Sequence, residues 1–172
     1  QVYAKYIEQQ KPGAKIGILY QNDDFGKDYL NGMRDVLKDK YEKLVTAVSY
    51  EVTDATIDSQ LTSLRSAGVE VFVSVTSPKF AAQSIRSVAT MGWKPMFILS
   101  GVSVSVGAVM QPAGPDNGVG IISSAYLKDP TDSRWDNDEG MKQWRAFMAK
   151  YYPEGDVKDL GNVTAFGLTY TI

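Results

Sequence analysis

One stretch near the start of the chain, Lys15–Tyr29, constrains the fold more than any other. Its first part, Ile16–Tyr20, is almost continuously apolar or aromatic, which is typical of a strand covered on both faces in a parallel sheet. A polar turn, Asn22–Phe25, follows this strand, and an amphipathic helical pattern comes next. In open α/β sheets, ligands bind outside the carboxyl ends of the strands. The stretch therefore predicts both a fold class and a position for a binding site.

The composition excludes several kinds of chemistry. The 172 residues include neither cysteine nor histidine, which excludes disulfides, cysteine nucleophiles, Ser-His-Asp triads and zinc sites built on these side chains. The basic residues are scattered and the net charge is −2, so the sequence shows no nucleic-acid footprint. No apolar run in the sequence is long enough for a transmembrane helix. We expect a protein that is not an enzyme and needs no cofactor or metal, although carboxylates, lysines and tyrosines could still support acid–base chemistry.

Apolar periodicity predicts that strands and helices alternate along the chain. Such alternation favours an open, mostly parallel sheet flanked by helices on both faces, a Rossmann-like α/β lobe. The predicted strands are Lys15–Tyr20, Leu44–Tyr50, Val69–Val75, Met96–Leu99 and Val119–Ala125. The predicted helices are Val2–Gln10, Gly26–Lys40, one that follows the turn Thr53–Thr56 and ends near Ala67, one from Pro78 to Met91, Val104–Met110, Glu139–Tyr151, and a last one from Asn162.

The residues that follow three of the predicted strands are the candidate ligand-binding residues, and most of them are polar. They are Asn22, Asp24 and Phe25 after the first strand, Thr76 and Ser77 after the third, and Ser100 and Gly101 after the fourth. Because the carboxyl ends of parallel strands share one edge of a sheet, we expect these side chains to lie near one another. A structural role stays open for some of them, since Asp23 and Asp24 suit one helix cap and Ser77 suits another.

The last third of the chain carries a group of aromatic residues at helical spacing. They are Trp144, Phe147, Tyr151 and Tyr152, and their spacing favours packing in the core over ligand binding. The polar stretch before them, Arg134–Asp136, is predicted to lie on the surface.

Four segments, in this order, resemble the second lobe of type I periplasmic solute-binding proteins of the branched-chain amino acid class. They are Ile16–Gly26, with its Asn-Asp-Asp-Phe-Gly turn, Asp54–Val71, Ala89–Phe97, and Gly120–Pro130 followed by Phe147–Pro153. In the second segment, Glu70 stands where the family usually has Asp. The segments together extend over most of the chain.

The resemblance implies one half of a clamp that holds a small solute and delivers it to the membrane permease of an ABC transporter. On this basis we expect residues 1–172 to form a single C-terminal lobe, truncated at both ends, of a periplasmic protein. Its ligand would be an amino acid or a related small acid, with aromatic acids among the candidates. Its partners would be that ligand, the permease and the missing first lobe of the same chain.

Two departures from the family bear on the ligand. The family commonly has a tyrosine at the position of Phe25. Phenylalanine keeps the apolar surface of tyrosine but lacks its hydroxyl donor. This favours an apolar or aromatic ligand portion. Some members carry a ligand-binding carboxylate after the fourth strand, whereas this chain has none between Phe97 and Pro115.

Other functions fit parts of the sequence. The acidic pair Asp23 and Asp24 resembles the start of a phosphoacceptor receiver domain, but the third strand ends in Val73–Ser77 without the carboxylate which that chemistry needs. A ligand-sensing domain of the same fold is a second alternative. An α/β enzyme is a third, although no glycine-rich phosphate loop follows any predicted strand.

Overall fold

The computed structural model describes residues 1–170, in which four strands form one parallel sheet. The strands are β1 (Ile16–Gln21), β2 (Val45–Tyr50), β3 (Val71–Val75) and β4 (Met96–Leu99). Their spatial order is β2-β1-β3-β4, with β1 and β3 in the centre. Ile16 pairs with both Val45 and Val71, so the strands start together and their carboxyl ends meet at one edge. The prediction of an open parallel α/β sheet is confirmed.

Helices precede, connect and follow the strands. They are α1 (Val2–Gln10), α2 (Asp24–Leu37), α3 (Tyr41–Leu44), α4 (Asp58–Ser66), α5 (Pro78–Thr90), α6 (Gln111–Ala113), α7 (Glu139–Tyr151) and α8 (Leu160–Tyr170). Helix α2 ends earlier than predicted because Lys38 adopts a φ of +51°, which breaks the helical path. The predicted helix at Val104–Met110 is a short π-helical turn, Val106–Met110. The end of the last helical pattern, Thr171 and Ile172, lies outside the described residues.

Both faces of the sheet are covered, because alternate strand residues enter two separate cores. Leu19 and Phe72 pack on one side with residues of α4 and α5, including Leu61 and Ile85. On the other side, buried residues of β1 and β3 pack with residues of α1 and α2. These residues are Ile16, Ile18, Val71, Val73, Ile7, Leu30 and Met33. Successive side chains of a strand point to opposite faces of the sheet. The burial of both sets agrees with the prediction that helices cover the sheet on both faces.

A third, smaller core lies between α7 and α8. It consists of Met141, Trp144, Met148 and Val163. Trp144 is buried as predicted, but Phe147, Tyr151 and Tyr152 are 43%, 63% and 46% exposed. Core packing was therefore the wrong prediction for these three rings, because the face of α7 that carries Phe147 lies at the border of a cluster too small to enclose it. The ring of Phe147 instead packs on Tyr151 and Phe166, at centroid distances of 4.9 and 5.0 Å.

The predicted fifth strand, Val119–Ala125, is wrong beyond a single bridge between Ile122 and Ile98. Ile122 donates to the Phe97 carbonyl at 2.9 Å and accepts from the Leu99 amide at 2.8 Å. A longer ladder would next use the carbonyl oxygen of Leu99. That oxygen already accepts the hydroxyl groups of Ser123, at 2.7 Å, and Tyr3, at 3.1 Å. Side chains thus take over the acceptor on which a fifth strand would depend.

Candidate functional site

A chain of hydrogen bonds joins the carboxyl ends of three strands, and Tyr50 lies in its middle. Tyr50 is the last residue of β2 and is buried. Its hydroxyl donates to Gln21 Oε1 at 2.9 Å and accepts from the backbone N–H of Ser77 at 2.9 Å. The amide nitrogen of Gln21 then donates to Asp23 Oδ2. The neighbouring order β2-β1-β3 is what brings these residues, distant in sequence, to one place.

Asp23 links this series of hydrogen bonds to helix α2. Its side chain caps the helix by accepting from the backbone N–H of Gly26 at 3.0 Å. The pKa of the Asp23 carboxyl is held below its ordinary value, first by that backbone hydrogen bond and then by the one from Gln21. Burial raises the pKa of the Tyr50 hydroxyl, so this group stays neutral at physiological pH. The network therefore ends on a carboxylate.

Ser77 is the N-cap residue of α5 by position, but its side chain makes no capping hydrogen bond. Its hydroxyl oxygen lies 3.4 Å from that of Tyr50. The predicted cap is therefore correct for the backbone position and wrong for the side chain. A hydroxyl that is not used for capping is available to a ligand at the sheet edge.

The other residues after β1 have neighbours of their own. Asn22 donates its side-chain amide to Glu51 at 2.6 Å. Asp24 is exposed in the first turn of α2. Phe25 is half-buried, and its ring meets that of Tyr29 edge-on at 5.3 Å. Asn22 and Phe25 thus lie beside the network rather than in it.

Buried hydroxyl groups connect the ends of β3 and β4. Thr76 is fully buried and its hydroxyl lies 2.9 Å from that of Ser74. Its carbonyl accepts the hydroxyl of Ser103, which ties the turn after β4 to the end of β3. The hydroxyl of Ser100 is buried with no hydrogen-bond partner among the described residues. Ser100 and Ser103 both lie at this junction. A buried hydroxyl without a hydrogen-bond partner is uncommon in folded proteins.

A cavity of about 190 Å³ opens beside this junction. Its lining is mostly apolar and comes from the turn after β4, the segment after the Ile122 bridge and the start of α8. The lining residues are Gly101, Val102, Val104, Ser105, Ala125, Tyr126, Leu127, Leu160, Gly161 and Thr164. A second cavity, also about 190 Å³, shares Val104, Ala125 and Leu160 with the first. Gly101 is the sequence-predicted site residue that lines the first cavity.

A family model described as "Periplasmic binding protein" matches residues 1–169. The chain belongs to the periplasmic binding protein family. The family is made up of solute-binding proteins. None of the curated proteins compared with the chain matches it.

Solved structures of other proteins share the fold of this periplasmic binding protein. One is a fatty acid ABC transporter substrate-binding protein from Thermomonospora curvata, with 22% identity and a TM-score of 0.72 over 87% of this chain and 38% of that one. Another is a branched chain amino acid ABC transporter from Thermus thermophilus with bound valine, with 19% identity and a TM-score of 0.69 over 94% of this chain and 41% of that one. A third is a substrate-binding periplasmic protein from Ralstonia solanacearum, with 24% identity and a TM-score of 0.65 over 75% and 36%. The chain thus spans about two-fifths of the length of these structures.

In this periplasmic binding protein, the structure does not gather the predicted site residues into one cluster. Ser77 belongs to the Tyr50 network, Gly101 lines the cavity, and Ser100 is the fully buried residue before Gly101. Sequence reasoning missed Gln21, Tyr50 and Ser103. The position of Tyr50 at the end of a predicted strand was the signal that could have found it, because every strand end of a parallel sheet reaches the same edge.

The structure offers little to the phosphoacceptor alternative. Strand β3 leads into Thr76 and Ser77 without a carboxylate, and Asp23 is engaged in the cap of α2. Within residues 1–170, no group of acidic side chains is arranged to hold a metal ion. In the same range, none of the helices is both long and apolar enough to cross a membrane.

Proposed function

We propose that the chain is the C-terminal ligand-binding lobe of an extracytoplasmic solute-binding protein that serves an ABC importer. Its partners are a small-molecule ligand, the membrane permease and a first lobe of the same protein, and its location is the periplasm. The family assignment supports this role, and so do neighbours described as ABC transporter proteins for amino acids or fatty acids. The chain spans about two-fifths of those neighbours, which is the share that one of two lobes would have.

A mostly apolar cavity beside the turn after β4 carries the proposal, and its lining includes the hydroxyl-bearing residues Ser105 and Thr164. Ser77 and Ser100 lie at the ends of β3 and β4, and Gly101 opens into the cavity of about 190 Å³. A cleft with a few placed polar groups and a mostly apolar lining is the common form of a small-molecule site. We infer an amino acid or related small acid, whose apolar part, aliphatic or aromatic, enters the cavity and whose remaining polar groups lie toward the partly exposed Ser77 and the facing lobe.

The mechanism follows from the incomplete enclosure of this edge. The sheet edge supplies one wall, and a facing lobe supplies the other when the two lobes close around the ligand. Ligand binding then shifts the population toward the closed form, which the permease recognises. The residues that the sequence singled out, Asn22, Asp24, Phe25, Thr76, Ser77, Ser100 and Gly101, remain proposed contributors to this wall.

A thermal-shift experiment on the natural protein that contains this chain tests the proposal. The probes are L-valine, L-leucine, L-phenylalanine, benzoate and hydrocinnamide, each at high concentration. We expect one chemical class to raise the melting temperature, because a ligand that binds only the folded state stabilises it. Ser77→Ala should reduce that rise, while Ser63→Ala, on the exposed face of α4, should leave it unchanged. A well-folded protein that responds to no probe would count against a role in solute binding.

A further inference from the structure

The network around Tyr50 has a fixed direction. At one end, the backbone N–H of Ser77 can only donate, and at the other end the Asp23 carboxylate can only accept. Between them, Tyr50 has a single hydroxyl proton, which it gives to Gln21 Oε1. The amide of Gln21 must therefore turn its oxygen to Tyr50 and its nitrogen to Asp23. Every donor in this series of hydrogen bonds therefore points toward the Asp23 carboxylate.

This direction decides the role of the Ser77 hydroxyl. Its oxygen is 3.4 Å from the Tyr50 hydroxyl oxygen, and either one could in principle be the donor. Because the Tyr50 proton is already committed to Gln21, a hydrogen bond between the two hydroxyls requires Ser77 to donate. The proton of Ser77 then faces inward, and its lone pairs are left for the sheet edge.

The position of Tyr50 makes this arrangement rigid. Its side chain is 1% exposed, and its ring packs against Phe80 of α5 at a centroid distance of 4.3 Å. The far end is held as well, since Asp23 is fixed by the backbone N–H of Gly26. A connected network anchored on a buried ring in this way keeps its donors and acceptors in one orientation.

We propose that Tyr50 and Gln21 are positioning residues that make the Ser77 hydroxyl a hydrogen-bond acceptor, so that this edge selects a ligand with a donor group there, an ammonium, amide or hydroxyl. The inference rests on the proposed function, because it assigns a polarity to the same site. A carboxylate at Ser77 would meet lone pairs instead of a proton. The acidic end of the ligand is accordingly held elsewhere.

Neutron diffraction from deuterium-exchanged crystals of the natural protein tests the polarity without any ligand. We expect the Tyr50 deuterium on the line to Gln21 Oε1 and the Ser77 deuterium directed at the Tyr50 oxygen. A Ser77 deuterium that points away from Tyr50, or a Gln21 amide turned the other way, would overturn the assignment. This result is independent of whether the protein binds any of the probes.

Calorimetric titration with two matched probes tests the consequence for binding. Hydrocinnamide carries an amide donor, whereas hydrocinnamate has the same ring and spacer with a carboxylate. Relative to the natural protein, Tyr50→Phe should shift the ratio of the two affinities about five-fold in favour of the carboxylate, the size of one hydrogen bond, because the Ser77 proton is freed to turn outward. An unchanged preference in Tyr50→Phe would contradict the positioning role.

The control removes the hydroxyl of a different buried tyrosine. Tyr41→Phe changes a tyrosine on the opposite core, outside the network, and should leave the preference between the probes unaltered. Equal effects of the two substitutions would show a general loss of stability and would overturn the proposal. If the natural protein binds neither probe, the proposed function loses support, while the neutron density still decides the direction of the network.

Discussion

The hydroxyl groups of Tyr3 and Ser124 lie 2.8 Å apart, although 121 positions separate the two residues. The same Tyr3 hydroxyl donates to the carbonyl of Leu99, the last residue of β4, at 3.1 Å. The first helix is thereby attached both to the end of a strand and to the segment that leaves the sheet. One phenol thus connects three separate parts of the chain near the cavity edge.

Tyr3→Phe should destabilise the protein by about 1 kcal/mol, because it removes the hydroxyl and leaves the stacking of the ring on Tyr29 in place. Urea unfolding followed by circular dichroism measures the change. Tyr6→Phe is the matched control on the same helix, where the ring is half-buried in the same core. A loss no larger than that of the control would mean that the Tyr3 hydroxyl contributes nothing to stability.

Gly26→Ala should destabilise the protein by at least about 3 kcal/mol, although alanine is the better helix former. A β-carbon at Gly26 would lie 1.9 Å from the carbonyl oxygen of Gln21, and backbone cannot move aside as a side chain can. Gly107→Ala is the control, because a β-carbon there meets nothing within 4 Å. Comparable midpoints of urea unfolding for the two variants would show that α2 does not approach β1 so closely.

The stability that Asp23 contributes should depend on pH in the acid range. Its folded-state pKa lies below the ordinary value of 3.8, chiefly because of the hydrogen bond from the Gly26 backbone. The charged form is therefore favoured by folding, so the contribution is complete above that ordinary value and is lost as the pH falls through the folded-state pKa. Asp23→Asn should cost stability at neutral pH, and the cost should shrink on acidification.

Urea unfolding of both proteins between about pH 7 and pH 2 measures this difference. The comparison with the variant is necessary because the pKa values of Asp58, Asp132 and Asp138 are lowered too, and these groups act in the same direction. A difference between the two proteins that stays constant over the whole range would contradict the assignment to Asp23.

Ser105→Ala should expose the chain before α8 to proteolysis. The Ser105 hydroxyl donates to Asp159 Oδ1 at 3.1 Å, across 54 positions, and Asp159 in turn accepts from the backbone N–H of Gly161. Without this link we expect trypsin to cleave after the exposed Lys158 about five-fold faster, as detected by mass spectrometry. Ser63→Ala serves as the control, and equal cleavage rates in the two variants would show that the link holds nothing in place.

Apolar runs allowed the central part of the fold to be predicted from the sequence. Strands β1, β3 and β4 carry side chains that suit burial on both faces, and the structure buries nearly all of them. The fifth strand failed for a reason that is not local. Its pairing partner, the Leu99 carbonyl, is taken by Ser123 and by the distant Tyr3, and no pattern within Val119–Ala125 records this competition.

The sequence predicted the sheet edge at which the candidate site lies, but it did not predict the hydrogen-bond network around Tyr50. The positions after β1, β3 and β4 followed from the rule that ligands bind beyond the carboxyl ends of strands. Tyr50 was missed because its importance depends on the spatial order of the strands, which brings positions 21, 50 and 77 together. Local spacing favoured Ser77 as a side-chain cap, whereas its hydroxyl lies toward Tyr50 instead.

The separate small core of α7 and α8 has a consequence for the way in which the molecule opens. Its members, Met141, Trp144, Met148 and Val163, are distinct from the residues that fill the two faces of the sheet. Cooperative units of a protein open with free energies set by the apolar contacts that each one contains. We therefore expect the helical pair to behave as a foldon of its own, whose amides exchange with deuterium through an opening that leaves the central strands protected.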